Sequence, residues 1–254
     1  MNPKIYKKIL KIKRKIKSGK LSIGSWLQLG DANVAEIMSQ SSFDWLVTDL
    51  EHGNFCKKNL IDVFRSIASG NSVPLARIKN KSFSEIQDAL DMGSAGIIFP
   101  NIETSIELKE LILQSSWPPT GKRGVGFSRA NSYGKFFYQY KSLAQKPIII
   151  AMIESKLALD NIESIAKVKG LDALLIGPYD LSASLNITGK FQSLIFKNAI
   201  KKIIKICKKN KMAIGIHQVN PSQEELRDVI KKGFSFIPYG IDATFLQSSI
   251  GFKK

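Results

Sequence analysis

Apolar residues in this chain fall into short, nearly continuous runs, separated by longer stretches in which they recur every three or four positions. The runs are SIGSWLQL (22–29), DWLVTDLE (44–51), VPLARI (73–78), AGIIFPNI (95–102), PIIIAMIE (147–154), DALLIGPYD (172–180), AIGIHQV (213–219) and FSFIPYGI (234–241). Their length and composition predict strands buried on both faces of a parallel sheet. Between them NVAEIMSQ, KNLIDVFRSIAS, FSEIQDALDMG, SIELKELILQ, ALDNIESIAKVKG and QEELRDVIKKG carry the helical period. Eight strands alternating with helices in 254 residues predict an α/β fold, a (β/α)8 TIM barrel. No GxGxxG follows the first strand, which disfavours an open dinucleotide-binding sheet. The expected organisation is a single barrel domain over 1–254, with a basic helix at 1–20 preceding the barrel at 21–254.

Composition narrows the class. Hydrophobic residues make up 44% of the chain, enough for a substantial core. No apolar run reaches the roughly 18 residues of a membrane span. The opening MNPKIYKKILKIKRKIKSGK lacks the apolar stretch and cleavage site of a secretory signal. Cys56 and Cys207 stand far apart with no CxxC spacing, so a reducing cytoplasm is expected and a disulfide framework or zinc knuckle is not. The net charge of +17 raises binding to nucleic acid or anionic lipid. Against that, arginine is scarce and no nucleic-acid-binding motif is present, and the basic stretches also carry amphipathic helical spacing. A lysine-rich surface explains the charge without a partner.

A barrel builds its active site where strands end and the following loops begin. The polar residues there include Gln28, Asp49, Glu51, His52, Arg77, Asn101, Glu154, Asp180, His217, Gln218 and Asp242. Glu154 and Asp180 end neighbouring strands and suit a divalent cation, the alternative being that each caps a helix. Arg77 closes an apolar strand, where a guanidinium suits a carboxylate or enolate oxygen; otherwise it makes a structural ion pair. His52 fits a general base if a carboxylate orients it, with Asp49 and Asp91 as candidates. Glu51 is read as a solvated neighbour or as acting through water. Gly177 and Pro178 force a turn after which the amides of Tyr179 and Asp180 open a helix and can bind a carboxylate.

Taken together, FDWLVTDLEHG (43–53), PLAR (74–77), WPPTGKRGVGFSRANSYG (117–134), MIES (152–155), IGPYDLSASL (176–185) and GFSFIPYGID (233–242) resemble the HpcH/HpaI aldolase family from about residue 20 onward. The resemblance implies a (β/α)8 barrel assembled as a homo-oligomer, a hexamer or trimer of dimers. It implies reversible cleavage of a 4-hydroxy-2-oxo acid to pyruvate and an aldehyde. By position, His52 would be the base, assisted by Asp49 and by Asp91 in the ALDMG segment. Arg77 would stabilise the enolate, Glu154 and Asp180 would hold Mg²⁺, Mn²⁺ or Co²⁺, and the amides of Tyr179 and Asp180 would meet the pyruvate carboxylate. No organic cofactor is implied. Gly177 and Trp26 join the expected substrate contacts.

Three features depart from the family pattern. Met152 stands where members often place a substrate-binding Gln, and a thioether cannot donate that hydrogen bond. Ser128-Arg129 replaces a segment that carries a histidine in relatives. Only ATFLQSSIGFKK follows the last strand, where relatives can carry a longer helix that packs on a neighbouring subunit. His217 ends the seventh strand where relatives often place an apolar residue near the aldehyde. It is expected either to recognise a polar or acidic aldehyde or a phosphate, or to be a surface-exposed loop histidine. The rival readings are a citrate-lyase-like enzyme for CoA thioesters and a non-catalytic basic barrel that binds RNA or polyanions.

Overall fold

The computed structural model describes residues 3–251. Met1, Asn2 and residues 252–254, which the expected first and last helices include, lie outside the described residues. Each of the eight apolar runs forms a strand: β1 (Ser22–Leu27), β2 (Trp45–Asp49), β3 (Val73–Arg77), β4 (Gly96–Phe99), β5 (Ile148–Ile153), β6 (Ala173–Ile176), β7 (Ala213–Ile216) and β8 (Phe236–Ile241). They pair in the order β7-β6-β5-β4-β3-β2-β1-β8, all in parallel. The two outer strands then meet. Gln218 N–H donates to the Pro238 carbonyl at 3.0 Å and Gly240 N–H to the Gln218 carbonyl at 2.8 Å, which closes a (β/α)8 barrel.

The helices are α1 (Pro3–Lys17), α2 (Ala32–Ser39), α3 (Lys57–Ser69), α4 (Phe83–Met92), α5 (Ser105–Ser115), α6 (Phe137–Gln145), α7 (Lys156–Asp160), α8 (Ile162–Ile165), α9 (Pro178–Ser184), α10 (Leu194–Lys209), α11 (Gln223–Lys231) and α12 (Asp242–Ile250). Three differ from expectation. The strand expected through Asp180 stops at Ile176, because Pro178 takes the first position of α9, where its missing N–H costs nothing. ALDNIESIAKVKG breaks at Asn161, whose side-chain amide donates to the Glu103 carbonyl at 2.9 Å. Helix α6 was not expected at all.

Two apolar layers result. One fills the space between strands and surrounding helices, with Phe64, Ile86, Phe99, Leu108, Ile176 and Ile203 among its members. The other fills the barrel and continues through its floor. Helix α1 supplies that floor: Ile5, Ile9, Ile12 and Ile16 lie on one face and are all buried. Its lysines reach the strand-entry side. Lys13 Nζ donates to the carbonyls of Lys146 and Pro147 at 2.7 and 2.8 Å, and Lys15 pairs with Asp44 at 2.6 Å. The basic N-terminal segment is therefore a plug under the barrel, on the face opposite the strand ends. Among the described residues no helix is long and apolar enough to cross a membrane.

Candidate active site

Side chains alternate along a strand, so the inward set of each strand is fixed by parity. Trp45 and Val47 face inward on β2, and Asp49 continues that set; Val73 and Leu75 do the same on β3, followed by Arg77. Asp49 and Arg77 are register partners across the two strands. Arg77 donates from Nε to Asp49 Oδ1 at 2.8 Å and from Nη2 to Oδ2 at 2.7 Å, both groups being buried. Gln28 Nε2 donates to the same carboxylate at 2.8 Å, and the amides of Glu51 and His52 reach it at 3.2 and 3.3 Å. The third guanidinium nitrogen meets Glu51 at 2.9 Å. Burial alone would raise the Asp49 carboxyl, but the hydrogen bonds and charge of Arg77 outweigh it and hold the group below the usual range. Burial likewise opposes the charge on Arg77, and Asp49, Glu51 and Glu154 more than restore it.

His52 stands apart from this network. Its side chain is 63% exposed, and its nearest carboxylate is Glu51, with Nε2 and Oε2 3.8 Å apart. The expectation that Asp49 orients the imidazole is corrected: the Asp49 oxygens are occupied by Arg77, Gln28 and backbone amides, and residue 52 contributes only its N–H. Glu51 is likewise no solvated bystander but an ion-pair partner of Arg77. Asp91 sits near the end of α4, 3.9 Å from Nη1 of the buried Arg123. Burial raises its carboxyl while Arg123 opposes that rise. Among the described residues no hydrogen bond or ion pair joins Asp91 to His52.

Glu154 follows β5 and is buried, and the amide of Asn101 donates to its Oε2 at 2.7 Å. Asn101 holds a left-handed backbone (φ 45°), a conformation asparagine tolerates better than most residues. Burial pushes the Glu154 carboxyl up to about 7; the Asn101 hydrogen bond opposes this, and the charge of Asp180 adds to it. Asp180 lies in the first turn of α9 and is exposed. Gly177 gives Glu154 its room: a Cβ there would stand 2.3 Å from Oε1. Among the described residues no group of three or more His, Cys, Asp or Glu side chains is placed to hold a metal. Two mutually repelling carboxylates with open coordination positions nevertheless fit a hard divalent cation that keeps water and substrate oxygens as its other ligands.

Trp26 is fully buried in the barrel interior beside the Arg77 network. The Arg77 guanidinium lies 5.3 Å from its ring centroid, and the His217 imidazole stacks on it with centroids 4.7 Å apart. His217 is not a surface-exposed loop residue. Its ring is partly buried and its Nε2 is sealed from solvent with no hydrogen-bond partner among the described residues, as is Trp26 Nε1. Burial, then the nearby charge of Arg77, pushes this imidazole down to about 4, so it is neutral at pH 7. Met152 is buried in the barrel interior. The Tyr179 ring packs edge-on against Phe191, 5.1 Å between centroids, and its backbone amide lies in the first turn of α9.

Sequence reasoning missed the Glu51–Arg77 pair, the Gln28–Asp49 hydrogen bond and the role of the Asn101 amide. The signal for the second was present: Gln28 shares parity with inward Trp26, and Asp49 with inward Trp45 and Val47, whereas Glu51 lies in the turn after β2, where parity no longer applies. The left-handed turn at Asn101 carried no comparable signal.

The comparisons agree with this architecture. A family model described as HpcH/HpaI aldolase/citrate lyase matches residues 22–248. A 4-hydroxy-2-oxovalerate aldolase of Novosphingobium aromaticivorans is 32% identical over 234 residues, covering 91% of this chain and 88% of its own. A hydroxypyruvate/pyruvate aldolase of Agrobacterium fabrum is 30% identical over 240 residues, covering 92% and 88%. Among solved structures, a HpcH/HpaI aldolase/citrate lyase family protein from Burkholderia cenocepacia superposes with a TM-score of 0.88 at 28% identity, covering 94% of this chain and 95% of its own.

Proposed function

Because the chain belongs to the HpcH/HpaI aldolase/citrate lyase family, we propose that it is a divalent-metal-dependent aldolase cleaving a 4-hydroxy-2-oxo acid to pyruvate and an aldehyde. The observation that carries this reading is the buried Glu154 carboxylate, held beside Asp180 and within the field of Arg77 at one barrel mouth. Glu154 and Asp180 would hold the cation, Mg²⁺ or Mn²⁺. When bound, it supplies Lewis-acid polarisation of the 2-oxo group. Arg77, fixed by Asp49 and Glu51, faces the oxygen on which negative charge grows as the C3–C4 bond breaks. The amides of Tyr179 and Asp180, with no intrahelical partner at the start of α9, take the pyruvate carboxylate. His52, accessible at the mouth, accepts the C4 hydroxyl proton directly or through water. Trp26 bounds the pyruvate site, and His217 lies on the side where the aldehyde portion extends. Asp91 acts only if it is brought to His52 from elsewhere, and the homo-oligomer implied by the resemblance supplies that route. A cytoplasmic setting suits the two free thiols, Cys56 and Cys207.

Deuterium exchange into the pyruvate methyl group, followed by NMR, tests the enolisation half-reaction without knowledge of the aldehyde. Exchange is expected with Mg²⁺ or Mn²⁺, absent with chelator, and lost in Arg77→Ala and Glu154→Ala. Metal-independent exchange, or exchange retained in Glu154→Ala, overturns the reading. Exchange into an acyl-CoA but not into pyruvate favours the thioester lyase instead. Solution mass by light scattering tests the oligomer, a hexameric mass being expected and a monomeric one contrary to it.

A further inference from the structure

A concavity opens on the face opposite the candidate active site. A cleft of about 820 Å³ opens beneath the barrel, at the entry ends of β5 and β6, between α1, α5 and the α10–β7 turn. Its volume lies within the range of small-molecule sites. Six lysines line it: Lys13, Lys17, Lys109, Lys146, Lys169 and Lys211. One carboxylate, Asp172, opposes them, and it is already engaged by Lys13 at 3.3 Å and by the Ile149 amide at 3.0 Å.

A generally lysine-rich surface does not account for this. The chain as a whole has 38 Lys and Arg against 21 acidic residues, whereas the cleft has six lysines against one acid. The ammonium groups of Lys17, Lys109, Lys146, Lys169 and Lys211 make no hydrogen bond or ion pair with the described residues. Lys13 already feels the crowding: burial, then the charges of Lys146 and Lys17, lower it against the pull of Asp172. Lys211 also sits in a left-handed turn (φ 53°), a backbone that glycine or asparagine adopts at lower cost. Beside the lysines the lining carries apolar Ile112, Leu113, Leu171 and Met212 together with polar Ser116, Thr120, Gln145 and Asn210. Clustered cations alone would suit any polyanion. Cations beside apolar side chains suit a molecule that has both an anionic end and a flat ring with a face of low polarity.

We propose that this cleft binds a small phosphate-bearing molecule with a flat heteroaromatic ring, of the nucleoside polyphosphate type. The ring lies on Ile112, Leu113, Leu171 and Met212, and the phosphates meet Lys109, Lys169 and Lys211. This is independent of the aldolase reading, since it uses none of the mouth residues and requires no turnover.

Calorimetric titration of the full chain with ATP, in chelator and at low salt, tests it. Saturable binding is expected, weakening as salt is added. The combined variant Lys109→Glu, Lys169→Glu, Lys211→Glu is expected to weaken it at least about tenfold. The control Lys201→Glu, Lys202→Glu, Lys205→Glu makes the same change of net charge on α10 and is expected to leave affinity within about twofold. Lys→Gln changes at the three cleft positions should act in the same direction as the reversals, and circular dichroism checks folding in each case. Adenosine and tripolyphosphate, each offering half of the recognised chemistry, should both bind more weakly than ATP. No binding of ATP, equal loss in both triple variants, or tripolyphosphate binding as tightly as ATP overturns the proposal. So does preferential binding of a single-stranded oligonucleotide that the cleft variant leaves unchanged. Pyruvate exchange is measured alongside, so failure of the aldolase reading is seen separately from failure of this one.

Discussion

At the scale of single residues, His217 and Glu154 link stability to pH with opposite signs. The His217 imidazole has a folded pKa of about 4 against an ordinary 6.5. Between those values the unfolded chain binds the extra proton, so its contribution is intact above pH 6.5 and is lost as pH falls toward 4. His217→Phe keeps a ring against Trp26 but removes the titration. Relative to this variant, the wild type should lose roughly 2 kcal/mol on going from pH 7 to pH 5, read by urea unfolding. An unchanged difference between the two proteins would contradict the buried, neutral imidazole. Glu154, raised from 4.5 to about 7, reverses the argument. Here the folded state holds the proton, so stability is greatest below pH 4.5 and declines as pH rises to 7. In chelator, Glu154→Gln should gain on the order of 2 kcal/mol over the wild type between pH 5 and pH 8. The same change should abolish metal-dependent pyruvate exchange, so a group that weakens the fold is retained for the chemistry assigned to it.

At the scale of elements, the junction of β6 and α9 shows how a short segment sets the site. Ile176 ends an apolar strand, Gly177 leaves space for Glu154, and Pro178 starts the helix that carries Asp180. A methyl group at 177 would overlap Oε1 of Glu154, so Gly177→Ala must push that carboxylate aside. Pyruvate exchange in this variant is expected to fall by about a hundredfold, as for other displacements near 1 Å, while circular dichroism remains that of the wild type. Exchange at the wild-type rate would mean that Glu154 has no fixed position to lose. Much of this junction was legible in IGPYD, because proline and glycine constrain backbone and space directly. The eight strands were legible for a similar reason, since burial on both faces leaves continuous apolar runs. Helix α6 was not legible: it follows a glycine-rich stretch, and its buried side chains, Tyr140, Leu143 and Ala144, give too short a repeat. The mouth was legible only as a set of strand ends. Which carboxylate meets which cation depends on register, and that is why Asp49 was assigned to His52 when its register partner is Arg77. Asp91 shows the same limit over a longer span, since its place on α4 says nothing of the Arg123 it faces.

For the whole molecule, the basic N-terminal helix raises the question of whether its charge or its apolar face matters to the fold. Ile9 is fully buried in the layer that includes Trp45, Val73 and Ile148, whereas Lys7 and Lys11 on the same helix are exposed. The barrel interior is closed from above by Trp26 and the Arg77 network, and from below by this helix, so its packing depends on both ends. Ile9→Ala removes buried atoms that the surrounding strands cannot replace and should cost about 2–5 kcal/mol in chemical unfolding. The paired change Lys7→Ala, Lys11→Ala removes two charges but no buried contact, and should stay within roughly 0.5 kcal/mol per site. If the charges rather than the isoleucines hold α1 in place, the order of the two effects reverses. Where Ile9→Ala remains folded, its pyruvate exchange should match the wild type, because Asp49, Arg77 and Glu154 are set by strand register at the far end of the barrel. Loss of exchange in a folded Ile9→Ala protein would show that the floor and the mouth are mechanically coupled through the interior.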